Sequence, residues 1–141
     1  MRMLKILTLV AFVLVVVLIL GNGAKQRAPK YSAATEVTVE GVVQEVQQFW
    51  CPINGDEGTH LMLKIDNGEI LQIHVAPRRF LEGNGVSFSQ GDRMAVVGST
   101  VTYEGHDGMI ARKITRGDQT FAFRQADGRP LWVERSRTYW R

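Results

Sequence analysis

Three side chains in the first half of the chain carry chemistry worth following: Cys51, His60 and His74. Two imidazoles a few ångströms apart can share one transition-metal ion, and a nearby thiolate can complete the set. Cys/His sets of this kind suit zinc or copper. Met62 adds a thioether on the same side, which would favour Cu(I), and haem is the other group such histidines could take. There is no Cys-x-x-Cys or His-x-x-x-His spacing, so only the fold can assemble the set. The competing reading leaves both histidines half exposed on an outer sheet face, with Cys51 packed under a loop.

Catalytic patterns find little support. The chain has no Gly-x-Ser-x-Gly, and Gly83-Asn84-Gly85 reads as a turn rather than a phosphate cradle. Asp56, Glu57 and Asp66 fall in expected loops, and spacing puts no base or orienting group beside Cys51. The chain reads as non-enzymatic.

The elements that must position these residues are strands. From Thr35 the apolar period becomes two: Val37, Val39 and Val43 alternate with polar residues, and Val42 and Val46 follow in the opposite phase after Gly41. A glycine at a phase change marks a bulge or sharp bend, so Glu36–Gln48 reads as one long bent strand. Residues 51–58 read as a loop. Leu61, Leu63 and Ile65 form a second alternating run, and Leu71, Ile73 and Val75 a third, with Asp66-Asn67-Gly68 between them. A two-residue turn would mix polar and apolar residues on both faces. A three-residue turn with Gly68 left-handed pairs Leu63 with Leu71 and Leu61 with Ile73, keeping one face apolar. It also places His60 opposite His74 on the other face, beside Met62 and Gln72.

Residues 76–85 open near Pro77 and end in glycines, predicting a short helix that buries Phe80 and Leu81. Strands follow over Arg93–Tyr103, Met109–Thr115, Thr120–Arg124 and Leu131–Glu134, with His106-Asp107-Gly108 in a turn. This order predicts an all-β fold: a five-stranded OB-fold-like barrel, a short helix between strands 3 and 4, and a C-terminal β-hairpin over 113–134. Another small barrel or an open sandwich is the alternative.

Composition separates the ends from the middle. Residues 25–111 carry 7 Lys/Arg against 11 Asp/Glu, and residues 112–141 carry 8 against 3. At 141 residues and 45% hydrophobic content, one ordered domain is expected, over 35–134. Arg2 and Lys5 precede an apolar run, so residues 1–24 read as a hydrophobic helix that is either a cleaved signal or, preferably, a transmembrane anchor. Either puts the domain outside the inner membrane: anchored by 6–24 and facing the periplasm or exterior, or released into the periplasm after cleavage. Residues 25–34 read as a tether and 135–141 as a basic, aromatic tail. The lone Cys51 can form no internal disulfide.

Several stretches carry a resemblance: 34–41 (Ala-Thr-Glu-Val-Thr-Val-Glu-Gly), 58–61 (Gly-Thr-His-Leu), 73–77 (Ile-His-Val-Ala-Pro), 98–103 (Gly-Ser-Thr-Val-Thr-Tyr) and 128–132 (Gly-Arg-Pro-Leu-Trp). In these the chain resembles small exported bacterial OB-fold proteins of uncharacterised function, often labelled DNA-binding. The resemblance implies the barrel and export, and carries over no functional residue. The plan of an anchor plus an exported barrel also resembles the haem chaperone of cytochrome c maturation, but His106-Asp107-Gly108 departs from that family's His-Asp-Glu context.

The sequence therefore supports an extracytoplasmic binding module for a protein or cell-envelope component. Its expected contact face holds Phe49, Trp50, His60, Met62, Gln72 and His74. No cofactor is required. The alternative is a zinc, copper or haem protein using His60, His74 and Cys51. Oligonucleotide binding comes third, because nucleic acid is an unlikely partner for a net-negative exported domain with no stacking aromatic residue between Cys51 and His74. Arg78, Arg79, Arg112, Lys113, Arg116 and Arg124 could pool into a basic patch but read better as a solvated face.

Overall fold

The computed structural model describes Lys5 and residues 26–133. The expected N-terminal helix, the end of the C-terminal segment and the tail lie outside the described residues. Among those described, no helix is long and apolar enough to cross a membrane.

The elements are β1 (Glu36–Cys51), β2 (Asp56–Ile65), β3 (Ile70–Pro77), a short helix α1 (Arg78–Gly83), β4 (Arg93–Tyr103), β5 (His106–Arg116) and β6 (Gln119–Ala122). The sheet runs β3-β2-β1-β4-β5-β6, and a parallel pairing of β3 with β5 closes its first five strands into a barrel. The closed strand order, with β1 shared between β2 and β4 and a helix between β3 and β4, is that of the OB-type barrel expected from the sequence.

One strand does two jobs. β1 pairs with β4 through its first half and with β2 through its second, and Gly41 sits in both ladders, opposite Met94 and Ile65. A Cβ at Gly41 would run into the backbone oxygen of Lys64, so only glycine lets the strands come this close. The bulge itself lies three residues on, between Val43 and Glu45, and not at Gly41 as the phase change suggested.

The β2–β3 register is the expected one: Leu61 faces Ile73, Leu63 faces Leu71 and His60 faces His74. Gly68 turns the chain at φ 90°, and Ile65 N–H donates to the Glu69 carbonyl across a three-residue turn. Leu61, Leu63, Ile73, Val75, Val96, Met109 and Ile114 point inward, with Phe123 and Trp132 closing one side. Leu81 is buried as expected, while Phe80 is only half-buried and meets the Trp132 ring edge-on.

Three expectations need correction. Cys51 belongs to β1 and Asp56–Gly58 to β2 rather than to a loop, because a tight turn over 52–55 starts pairing at once, Cys51 with Asp56. His106–Gly108 start β5, since Glu104 and Gly105, both at positive φ, make the turn. The C-terminal hairpin is cut short. β6 pairs with β5, but beyond it only Arg124 and Pro130 bridge, and 131–133 is helical rather than a strand. Pro130 has no N–H to extend a ladder.

Residues 26–35 lie along the barrel. Ser32 N–H donates to Ser99 Oγ at 3.1 Å, and Tyr31 O–H donates to Glu36. Arg112 grips the same carboxylate with two bonds of 2.7 and 2.8 Å. Those bonds, Arg112 first, pull Glu36 down to about 2, while burial pushes Tyr31 up to about 12. A depressed carboxylate stabilises the fold above its ordinary range and stops doing so as pH falls through its folded value. Glu36→Gln should therefore cost about 1 kcal/mol at pH 7, with the gap to wild type closing between pH 4.5 and about 2 in urea-unfolding curves. A constant gap across that window would show that the carboxylate's charge is not what matters.

Candidate metal centre

The pleat that sends Leu61 and Ile73 inward sends His60 and His74 outward, yet neither reaches solvent: His60 is 0% exposed and His74 4%. The half-exposed placement is thus overturned. Their rings meet edge to face with centroids 4.9 Å apart. Phe49 lies flat on His60, centroids 3.7 Å apart and planes within 3°. Cys51, the last residue of β1, is 0% exposed, and its Sγ stands 3.6 Å from His74 Nδ1. The expectation that no base stands beside Cys51 is corrected by that contact.

Glycine makes the convergence possible. Gly58 lies opposite Phe49 in the β1–β2 ladder. A Cβ there would come within 2.8 Å of Cys51 Cβ, 2.9 Å of Asn54 Nδ2 and 3.4 Å of His60 Cε1. The missing side chain is the space in which the three meet. A register shift between Thr59 and His60 then brings the two histidines level. The donor atoms of Cys51, His60 and His74 all lie within 4.8 Å of one another.

The surroundings are buried and poorly satisfied. Both ring nitrogens of His60, both amide atoms of Asn54 and two guanidinium nitrogens of Arg124, Nε and Nη2, are buried without a hydrogen-bond partner. Natural folds leave few such groups, and each calls for an explanation such as an ion. Burial pushes both histidines down to about 4, with the neighbouring His60 and then Arg124 adding to the effect on His74. Burial pushes the Cys51 thiol up, partly offset by backbone N–H groups of Asn54 and Ile53 and by Arg124. A buried, raised thiol is not an activated nucleophile. Neutral imidazoles and a thiol that loses its proton to a metal are instead ready ligands.

Arg124 is 7% exposed. Its Nη1 donates to the Gly128 carbonyl at 3.0 Å, and its guanidinium lies 4.9 Å from the Trp132 ring and 6.0 Å from that of Tyr31. It shares a cleft with Ile53, in the turn that follows Cys51. No carboxylate pairs with it among the described residues.

The other expected site residues divide. Phe49 joins the cluster by stacking. Met62 and Gln72 face each other two rungs along from the histidines, on the same face, and are half-buried. Trp50 is turned outward, 66% exposed. The cations that could have pooled are mostly spent: Arg78 pairs with Glu57 and Glu82, Arg79 with Asp56, Arg112 with Glu36 and Arg116 with Asp92. Sequence reasoning missed Asn54, Gly58 and the role of Arg124. Of these only Gly58, a glycine just ahead of an apolar strand run, carried a signal.

Residues 35–121 match the model of the MamS/MamX magnetosome protein family. No curated protein matches. Among solved structures, the chain is similar to the S. pombe Stn1-Ten1 complex at 13% identity and a TM-score of 0.47, over 60% of this chain and 59% of that one. It is similar to the N-terminal domain of PriB from Thermoanaerobacter tencongensis at 19% identity and a TM-score of 0.47, over 61% of this chain and 99% of that one.

The buried histidines make stability depend on pH with a definite sign. The unfolded chain binds protons at these imidazoles near pH 6.5, and the folded one only near 4. Stability should therefore be full above pH 6.5 and fall as pH drops toward 4. In metal-free protein, NMR should show His60 and His74 titrating near 4. Midpoints near 6.5 would mean that the cluster is open to water.

Proposed function

The chain belongs to the MamS/MamX magnetosome protein family, and on that premise we propose that its barrel is a non-enzymatic module that binds one transition-metal ion between Cys51, His60 and His74. The family name specifies no ligand. The carrying observation is a buried cluster of three donor atoms within 4.8 Å of one another.

Supporting arguments come from what else could satisfy these groups. A structural core histidine is normally well satisfied, whereas neither ring nitrogen of His60 makes a hydrogen bond of good geometry and, among the described residues, the Gly58 backbone is its one polar contact. Haem would need open room for a porphyrin beside its imidazole, whereas His60 is stacked under Phe49 and in edge contact with His74, and both histidines are buried. An oligonucleotide would use a positive groove with free stacking rings. Here four arginines are matched by carboxylates and the Phe49 ring lies against His60. Residues 6–24, read as anchor or signal, would carry the module across the inner membrane. The exposed Trp50 beside the site offers a contact for a protein that delivers or receives the ion.

The test is metal content and titration of the full chain. Wild type should bind one zinc or copper ion. Cys51→Ser, His60→Ala and His74→Ala should each weaken binding by at least about 100-fold, since even outer-shell changes cost 10–100-fold. His106→Ala, on the exposed start of β5, should change nothing. Gly58→Ala should weaken binding about tenfold or more by spreading the ligands, without removing any of them. Equal binding by wild type and His60→Ala/His74→Ala would rule the site out.

A further inference from the structure

Resting on that metal reading, we propose that the site selects the monovalent soft ion Cu(I) over Zn(II), and that Arg124 is the residue that enforces the choice. Two observations lead there independently.

The first is the number of donors. The described Cys, His, Asp and Glu residues offer three ligands at this place and no fourth. Zinc in a closed protein site takes four ligands in a tetrahedron. Cu(I) is satisfied by three, and a thiolate is among its preferred ligands. Two neutral imidazoles and one thiolate meet that requirement. With all three residues buried, a water completing a zinc site would have to be enclosed with the ion.

The second is charge. Among the described residues Arg124 is a buried cation without a carboxylate partner, and it lines one cleft with Ile53, in the turn that follows Cys51. A buried charge is costly unless compensated. The thiolate supplies one negative charge and the guanidinium one positive, so the ligand set with Arg124 is neutral before metal enters. Cu(I) brings the group to +1 and Zn(II) to +2. In surroundings of low dielectric the second step is much the harder. Among the described residues no carboxylate pairs with Arg124, and its Nε and Nη2 make no hydrogen bond, so its positive charge stands against whatever charge the ion adds.

The experiment measures Cu(I) affinity under anaerobic, reducing conditions against bicinchoninate, and Zn(II) affinity against a chromogenic chelator. It compares full-length wild type with Arg124→Gln and Arg124→Lys. Arg124→Gln should raise Zn(II) affinity relative to Cu(I) at least about tenfold, whereas Arg124→Lys, which keeps the charge, should keep the wild-type ratio. Ile53→Glu brings a carboxylate into the same cleft and should shift the ratio as Arg124→Gln does, so the test stands even if the glutamine variant does not fold. Copper-edge absorption should show one sulfur and two nitrogen neighbours. Zinc binding as tight as copper in wild type, or an unchanged ratio in both charge-altering variants, would overturn the proposal and leave the metal site itself standing. Failure of wild type to bind either ion would instead sink the metal reading.

Discussion

The alternation of side chains across β2 and β3 ties the hydrophobic core to the candidate metal centre. Any register that buries Leu61 and Leu63 against Ile73 and Leu71 sets His60 directly across from His74. A slip of one residue would expose the apolar set and bury the polar one. The apolar residues thus hold the histidines in register without touching a ligand. The barrel depends on the same pairing, because β3 closes on β5 at Gln72, Ile73 and His74. Core, closure and histidine pair are set by the same strands.

What could be read from the chain follows from this. The three-residue turn at Gly68, the facing histidines and the helix between strands 3 and 4 all come from local rules of period and turn chemistry. What could not be read depends on contacts distant in sequence. His60 and His74 were placed on the correct face but not at the correct depth. Alternation says which way a side chain points and nothing of what lies on top of it. Arg124 counted as one cation among several until the fold put it beside Ile53, more than 70 positions earlier in the chain. The expected strand at 131–133 is a helical turn: after the Arg124–Pro130 bridge only Leu131 N–H, to the Phe123 carbonyl, continues the pairing among the described residues.

The outer face of this barrel is built against the usual rules for a polar surface. Polar residues facing out of a sheet normally meet water, and here a stacked ring and a tight turn exclude it. Each unsatisfied buried polar group costs about 1–3 kcal/mol. Asn54, His60 and Arg124 together hold every such side-chain atom found among the described residues. A small fold does not concentrate that cost in one place for the sake of stability.

On the metal reading, an ion would offset part of that cost. An ion that binds only the folded chain adds stability by mass action, and here it would also give a nitrogen of His60 a partner. Gly58 points the same way. A larger residue there would push Cys51 and Asn54 aside, whereas glycine leaves the space in which they and His60 pack together. The strand gives up a side chain of its own at the point where the donors converge, a close approach that only glycine allows.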